Sequence, residues 1–62
     1  MLVTTTQAAE MLALKPRTLE DLRMDGRGPR FVRLGHRCVR YSHAALADWI
    51  ASKEVTPARE RA

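Results

Sequence analysis

Apolar positions along the chain switch between helical spacing and strict alternation. Ala8, Met11 and Leu12 fall at helical spacing, with Ala9 beside them, and predict a short first helix ending around Ala13–Leu14. Thr4-Thr5-Thr6-Gln7 fits a capping box, in which the Thr4 hydroxyl and the Gln7 amide satisfy each other's backbone donors. Leu2 or Val3 then staples onto the first turn. Lys15-Pro16 reopens the chain, because proline suits the first helical position, where its missing N–H has no partner to lose. A second helix is predicted from Pro16 to about Met24, stopped by Gly26. Leu19 and Leu22 face inward on it, flanked by Thr18 and Arg23. Arg17, Glu20, Asp21 and Met24 face outward.

After the Gly28-Pro29 turn, Phe31 to Leu34 and Cys38 to Tyr41 are two short β-prone runs around Gly35-His36-Arg37, the pattern of a hairpin. Alternation groups Val32 and Leu34 with Val39 and Tyr41 on an inward face, and Phe31, Arg33, Cys38 and Arg40 on an outward one. That grouping requires an even loop, such as His36-Arg37, unless a bulge absorbs one residue. Ser42 is a good N-cap for a third helix, from His43 to about Ser52, with Leu46, Trp49 and Ile50 in phase toward the core. The expected fold is therefore mainly α with a small β-hairpin: a winged helix-turn-helix over residues 1–52, followed by a flexible tail over 53–62.

Charge sharpens this picture. The chain of 62 residues carries 11 basic and 7 acidic side chains. From Lys15 to Arg40 there are eight basic residues and three acids, a local net charge of +5, and from Arg27 to Arg40 five arginines and no acid. Arginine forks match phosphates and guanine edges. A basic domain with its charge on a helix and a hairpin points to duplex nucleic acid, and an adaptor for an acidic protein is the alternative of a different class. A chain this short buries about 60% of the surface that its unfolded form exposes, which leaves one small domain without catalytic machinery. A single Cys38 makes no internal disulfide and fits a reducing cytosol. Cys38, His36 and His43 are too few and too crowded for a zinc site, so neither metal nor cofactor is expected. Tyr41 falls inside and reads as packing, not as a recombinase nucleophile.

The ordered set Thr4-Thr5-x-x-Ala8-Ala9-x-x-Leu12, Pro16-Arg17-Thr18-Leu19, Gly26-x-Gly28-Pro29-x-Phe31-Val32-Arg33-Leu34-Gly35-x-Arg37, Val39-Arg40-Tyr41 and Leu46-x-x-Trp49 resembles the excisionase and AlpA-type winged helix-turn-helix family, related to the DNA-binding heads of MerR regulators. The resemblance covers residues 2–51. It departs at Ala13, where the family usually has Gly, at Lys15, where it has Ser, and at Asp21, where a basic residue is common. It implies a prokaryotic, cytoplasmic DNA binder whose second helix enters the major groove and whose wing meets the adjacent minor groove or backbone. It further implies neighbouring copies that bend the DNA and steer a separate integrase toward excision. A small transcriptional regulator of the same fold is the alternative.

On this reading Arg17 takes either a guanine edge or a phosphate. Thr18 completes a cap or touches phosphate, and Lys15 meets phosphate. Glu20 either accepts from cytosine N4 or is an exposed helix former. Asp21 pairs with Arg17 four residues earlier and orients it. Arg33, Arg37 and Arg40, with His36 at the tip, form the wing, where a narrow minor groove attracts arginine by shape. Arg23, Arg27 and Arg30 meet phosphates, with Asp25 or Glu20 as an alternative partner for Arg23. With about five phosphates neutralised, the log–log plot of affinity against salt is expected to have a slope near −4 to −5, measurable by duplex titration at several salt concentrations.

Overall fold

The structure, a computed structural model, describes residues 1–57. In chain order it contains β1 (Leu2–Thr4), α1 (Thr5–Met11), α2 (Pro16–Met24), β2 (Val32–Gly35), β3 (Cys38–Ser42) and α3 (His43–Lys53). This is a winged helix-turn-helix with one addition to the expected plan. The segment before α1 does not merely staple onto the helix; it forms an edge strand. The three strands make an antiparallel sheet in the order β1-β3-β2, with Val3 opposite Tyr41 and Thr4 opposite Arg40. Three residues are too few to show a strand period, and their pairing partner lies almost forty residues away.

The caps form as the side chains dictate. Gln7 N–H donates to Thr4 Oγ1 at 3.1 Å, and Thr4 N–H donates to Gln7 Oε1 at 2.9 Å. Ser42 Oγ accepts from Ala45 N–H at 3.0 Å at the start of α3. Lys15 precedes α2 without a side-chain cap, as its chemistry requires, and Pro16 lowers the number of donors left to satisfy.

Both helices of the helix-turn-helix end in a left-handed residue. Leu14 N–H reaches Ala9 O at 2.8 Å while Ala13 N–H reaches Glu10 O; Arg27 N–H reaches Leu22 O at 2.9 Å while Gly26 N–H reaches Arg23 O. These paired bonds are Schellman closures that satisfy orphan carbonyls. Gly26 adopts φ 72° freely, whereas Ala13 at φ 58° carries a Cβ into a region that crowds it. Gly28 has a separate reason to be glycine: an added Cβ would lie 3.3 Å from Leu22 Cβ.

The core consists of Val3, Ala8, Ala9, Leu19, Val39, Tyr41 and Leu46, with Leu12 packed against it. Tyr41 and Leu19 are fully buried. Two predicted core residues on the helices are exposed. Met11 is 51% exposed and Ile50 46%, so α1 buries Ala8 and Ala9, and α3 buries Ala45 and Leu46. Small alanines let these short helices approach the sheet, and the longer side chains one position round the helix fall outside the contact. Trp49 is half-buried, and its indole N–H donates to Arg27 O at 3.0 Å, tying α3 to the loop after α2. α3 runs to Lys53, one residue past its expected end, and residues 58–62 of the predicted tail lie outside the described residues.

The left-handed caps generate a paired prediction. Ala13→Gly is expected to stabilise the fold by about 1 kcal/mol, and Gly26→Ala, which meets no neighbouring atom, to destabilise it by a similar amount, both read as shifts of the urea midpoint.

Candidate nucleic-acid interface

The outer side of α2 emerges as its sequence predicts. Arg17, Glu20, Asp21 and Met24 are exposed, Leu19 is buried beneath them, and Thr18, expected to flank the inward face, is exposed as well. Arg17 Nε donates to Asp21 Oδ1 at 3.2 Å, the expected pair one helical turn apart. Lys15 is exposed at the helix entry.

The hairpin differs from its expected form in one decisive respect. Its loop is His36-Arg37, the even loop that places Gly35 opposite Cys38. One step further the register shifts, so that Arg33 faces Val39 and Val32 faces Arg40, with Leu34 as the extra residue. Neither loop residue has a positive φ, so the turn that best matches strand twist in two-residue hairpins is not used. The bulge at Leu34 supplies additional twist beside it. A shift of one residue exchanges the faces of everything that precedes it in β2.

The consequences correct the predicted outward face. Arg33 shares the helix-side face with Val39 and Tyr41, and Phe31 turns the same way, its ring centroid 6.3 Å from that of Tyr41. Val32 and Leu34, expected inside, are 39% and 58% exposed. Arg40 and Cys38 lie on the opposite side of the hairpin from Arg33. The wing therefore carries guanidinium groups on both faces, with His36 and Arg37 exposed at its tip.

Phe31 connects the wing to α2. The guanidinium of Arg23 lies 5.8 Å from the ring centroid and that of Arg33 lies 5.6 Å from it, one supplied by the helix and one by the strand. Both distances are within cation–π range. Arg23 Nη1 also donates to Tyr41 Oη at 3.3 Å and Thr5 Oγ1 at 3.4 Å. These hydroxyls replace the alternative partners Asp25 and Glu20. Arg23 is half-buried and links α2, the start of α1 and the central strand. No local pattern marks Phe31 or Thr5 for this role, because the bulge that brings Phe31, still 38% exposed, onto the face of Tyr41 leaves no trace in the alternation.

The remaining cations sort by their partners. Arg27 pairs with Asp25 at 3.3 Å, and Arg30 pairs with Asp48 of α3 at 2.8 Å, both in exposed positions. Such pairs contribute little to stability and exchange readily for phosphate. Among the described residues Lys15, Arg33, Arg37 and Arg40 form no ion pair with an acid, and the Arg40 side chain donates to Val39 O at 2.8 Å. Four cations without carboxylate partners thus sit at the entry of α2 and along the wing. Among the described residues no three histidines, cysteines or carboxylates come together as a metal site, and no helix is long and apolar enough to cross a membrane.

A family model described as a helix-turn-helix domain matches residues 2–54, nearly the whole described chain. No curated protein matches it.

The internal role of Arg23 is separable from the exposed cations by stability alone. Tyr41→Phe, which removes a buried acceptor from Arg23, is expected to cost about 1 kcal/mol in urea unfolding. Arg37→Ala at the tip is expected to stay within about 0.5 kcal/mol of the parent.

Proposed function

Since the chain belongs to the helix-turn-helix domain family, whose fold binds DNA, we propose that it is a sequence-specific double-stranded DNA-binding excisionase, which bends DNA and promotes integrase-mediated excision of a mobile element. The observation that carries the reading is the placement of Lys15, Arg33, Arg37 and Arg40, without carboxylate partners among the described residues, around a helix whose outer side is exposed and polar. α2 enters the major groove, and the wing lies along the neighbouring backbone or minor groove. Arg37 at the wing tip suits a narrow minor groove, which admits an arginine side chain, and the arginines on the two faces of the hairpin reach phosphates of the flanking backbones. Arg37 and His36 occupy the tip. Arg27 and Arg30 exchange Asp25 and Asp48 for phosphates on docking.

One domain of this size covers a small interface, so a single copy binds weakly. Neighbouring copies on adjacent sites raise the affinity, and bending follows from their shared occupancy. The resemblance of residues 2–51 takes in excisionases and small regulators of the same fold alike, and the excision assay separates the two.

Gel-shift titration and footprinting on DNA flanking the coding region, with an integrase-dependent excision assay beside them, test the proposal. Several contiguous protected sites and protein-dependent excision are expected. A single isolated footprint, or promoter activity without excision, favours the regulator. A failure to retard any duplex at low salt removes the DNA-binding reading. Arg33→Ala and Arg37→Ala are each expected to weaken binding similarly on all sequences. Each is expected to lower the salt slope by about 0.9 for every phosphate that is no longer neutralised.

A further inference from the structure

We propose that Arg17 and Asp21 form a guanine-reading pair, in which Asp21 is a positioning residue that holds the Arg17 guanidinium by its Nε edge and leaves both Nη groups free for the O6 and N7 of one guanine. The inference rests on the DNA-binding reading above and adds to it the base and the geometry of contact.

The bond itself selects the edge of the guanidinium that remains free. Asp21 Oδ1 accepts from Nε, at 3.2 Å, and not from either terminal nitrogen. A guanidinium carries five N–H donors in a rigid plane. With Nε occupied, the fork formed by the two terminal nitrogens is the free edge, and that fork matches the two acceptors that guanine presents in the major groove. Arg17 is also the more exposed of the two cations of α2, with 83% of its side chain open to solvent.

Helix energetics do not account for the pair. Arg17 is the second residue of α2, at the positive end of the helix dipole, while Asp21 opens the last turn, toward the negative end. Each charge stands nearer the end that disfavours it, and the order Arg before Asp is the weaker arrangement for a pair one turn apart. The first turn of α2 contains no acid, although an acid is what that position rewards.

A phosphate clamp does not account for it either. Arg17 and Asp21 together carry no net charge, and a carboxylate beside the guanidinium repels phosphate. A neutral base edge with two acceptors tolerates that carboxylate, and a fixed fork loses less freedom on docking. The pair thus adds discrimination and little general affinity.

Selection from a random-sequence duplex pool, followed by titration of the selected site and of single-base variants, tests the assignment. The parent is expected to prefer one G·C pair by about tenfold. Asp21→Ala is expected to lose most of that preference while binding a non-specific duplex equally or more tightly, with an unchanged urea midpoint. Asp21→Asn keeps an acceptor and is expected to retain most of the preference. Arg17→Lys keeps the charge but lacks the fork, and is expected to lose the preference with the salt slope unchanged. An Asp21→Ala protein that keeps the full preference, or that loses specific and non-specific affinity by the same factor, overturns the proposal. A parent protein without salt-sensitive binding to any duplex overturns the DNA-binding reading itself, so the two failures are distinct.

Discussion

Tyr41 sits where every part of this small domain meets. It belongs to the central strand, opposite Val3 of the edge strand, and is fully buried. Its ring meets Phe31, and its hydroxyl accepts from Arg23 of the second helix. A buried phenol needs a partner for its oxygen, and a half-buried guanidinium needs acceptors. Each supplies what the other lacks, with Thr5 completing the set. Through this contact the helix-turn-helix and the sheet hold a fixed relation, although neither is large enough to enforce one by area alone.

The same contact divides the arginines into two kinds. Arg23 is committed internally, and the stack of Arg23, Phe31 and Arg33 carries the linkage out to the wing. Among the described residues Lys15, Arg17, Arg27, Arg30, Arg33 and Arg37 are exposed, either without an acid or in solvent-exposed pairs that phosphate can displace, and Arg40 is half-buried. A strongly basic stretch is thus not uniformly a binding surface. Part of it is scaffold that determines where the rest points, and a wing whose base is held against the second helix presents its tip at a defined distance from that helix.

The bulge at Leu34 has an effect out of proportion to its size. It turns Phe31 and Arg33 toward the helices and leaves Val32 and Leu34 exposed, with Arg40 on the far side of the hairpin. The wing is therefore two-faced, in contrast to the single arginine-rich face that unbroken alternation predicts.

Local chemistry in the amino-acid sequence determined the helices, their caps and their order. The Thr4–Gln7 box, Pro16, Gly26 and Ser42 act within a few residues of themselves, and each forms as its local chemistry requires. The exposed side of α2 and its Arg17–Asp21 pair follow from the helical period for the same reason. Tertiary structure alone decided the β1 strand, the bulge at Leu34, the placement of Phe31 beside Tyr41, the partners of Arg23 and the exposure of Met11 and Ile50. Each of these depends on which distant backbone is available to pair or which neighbour is small enough to allow close approach, and no window along the chain contains that information.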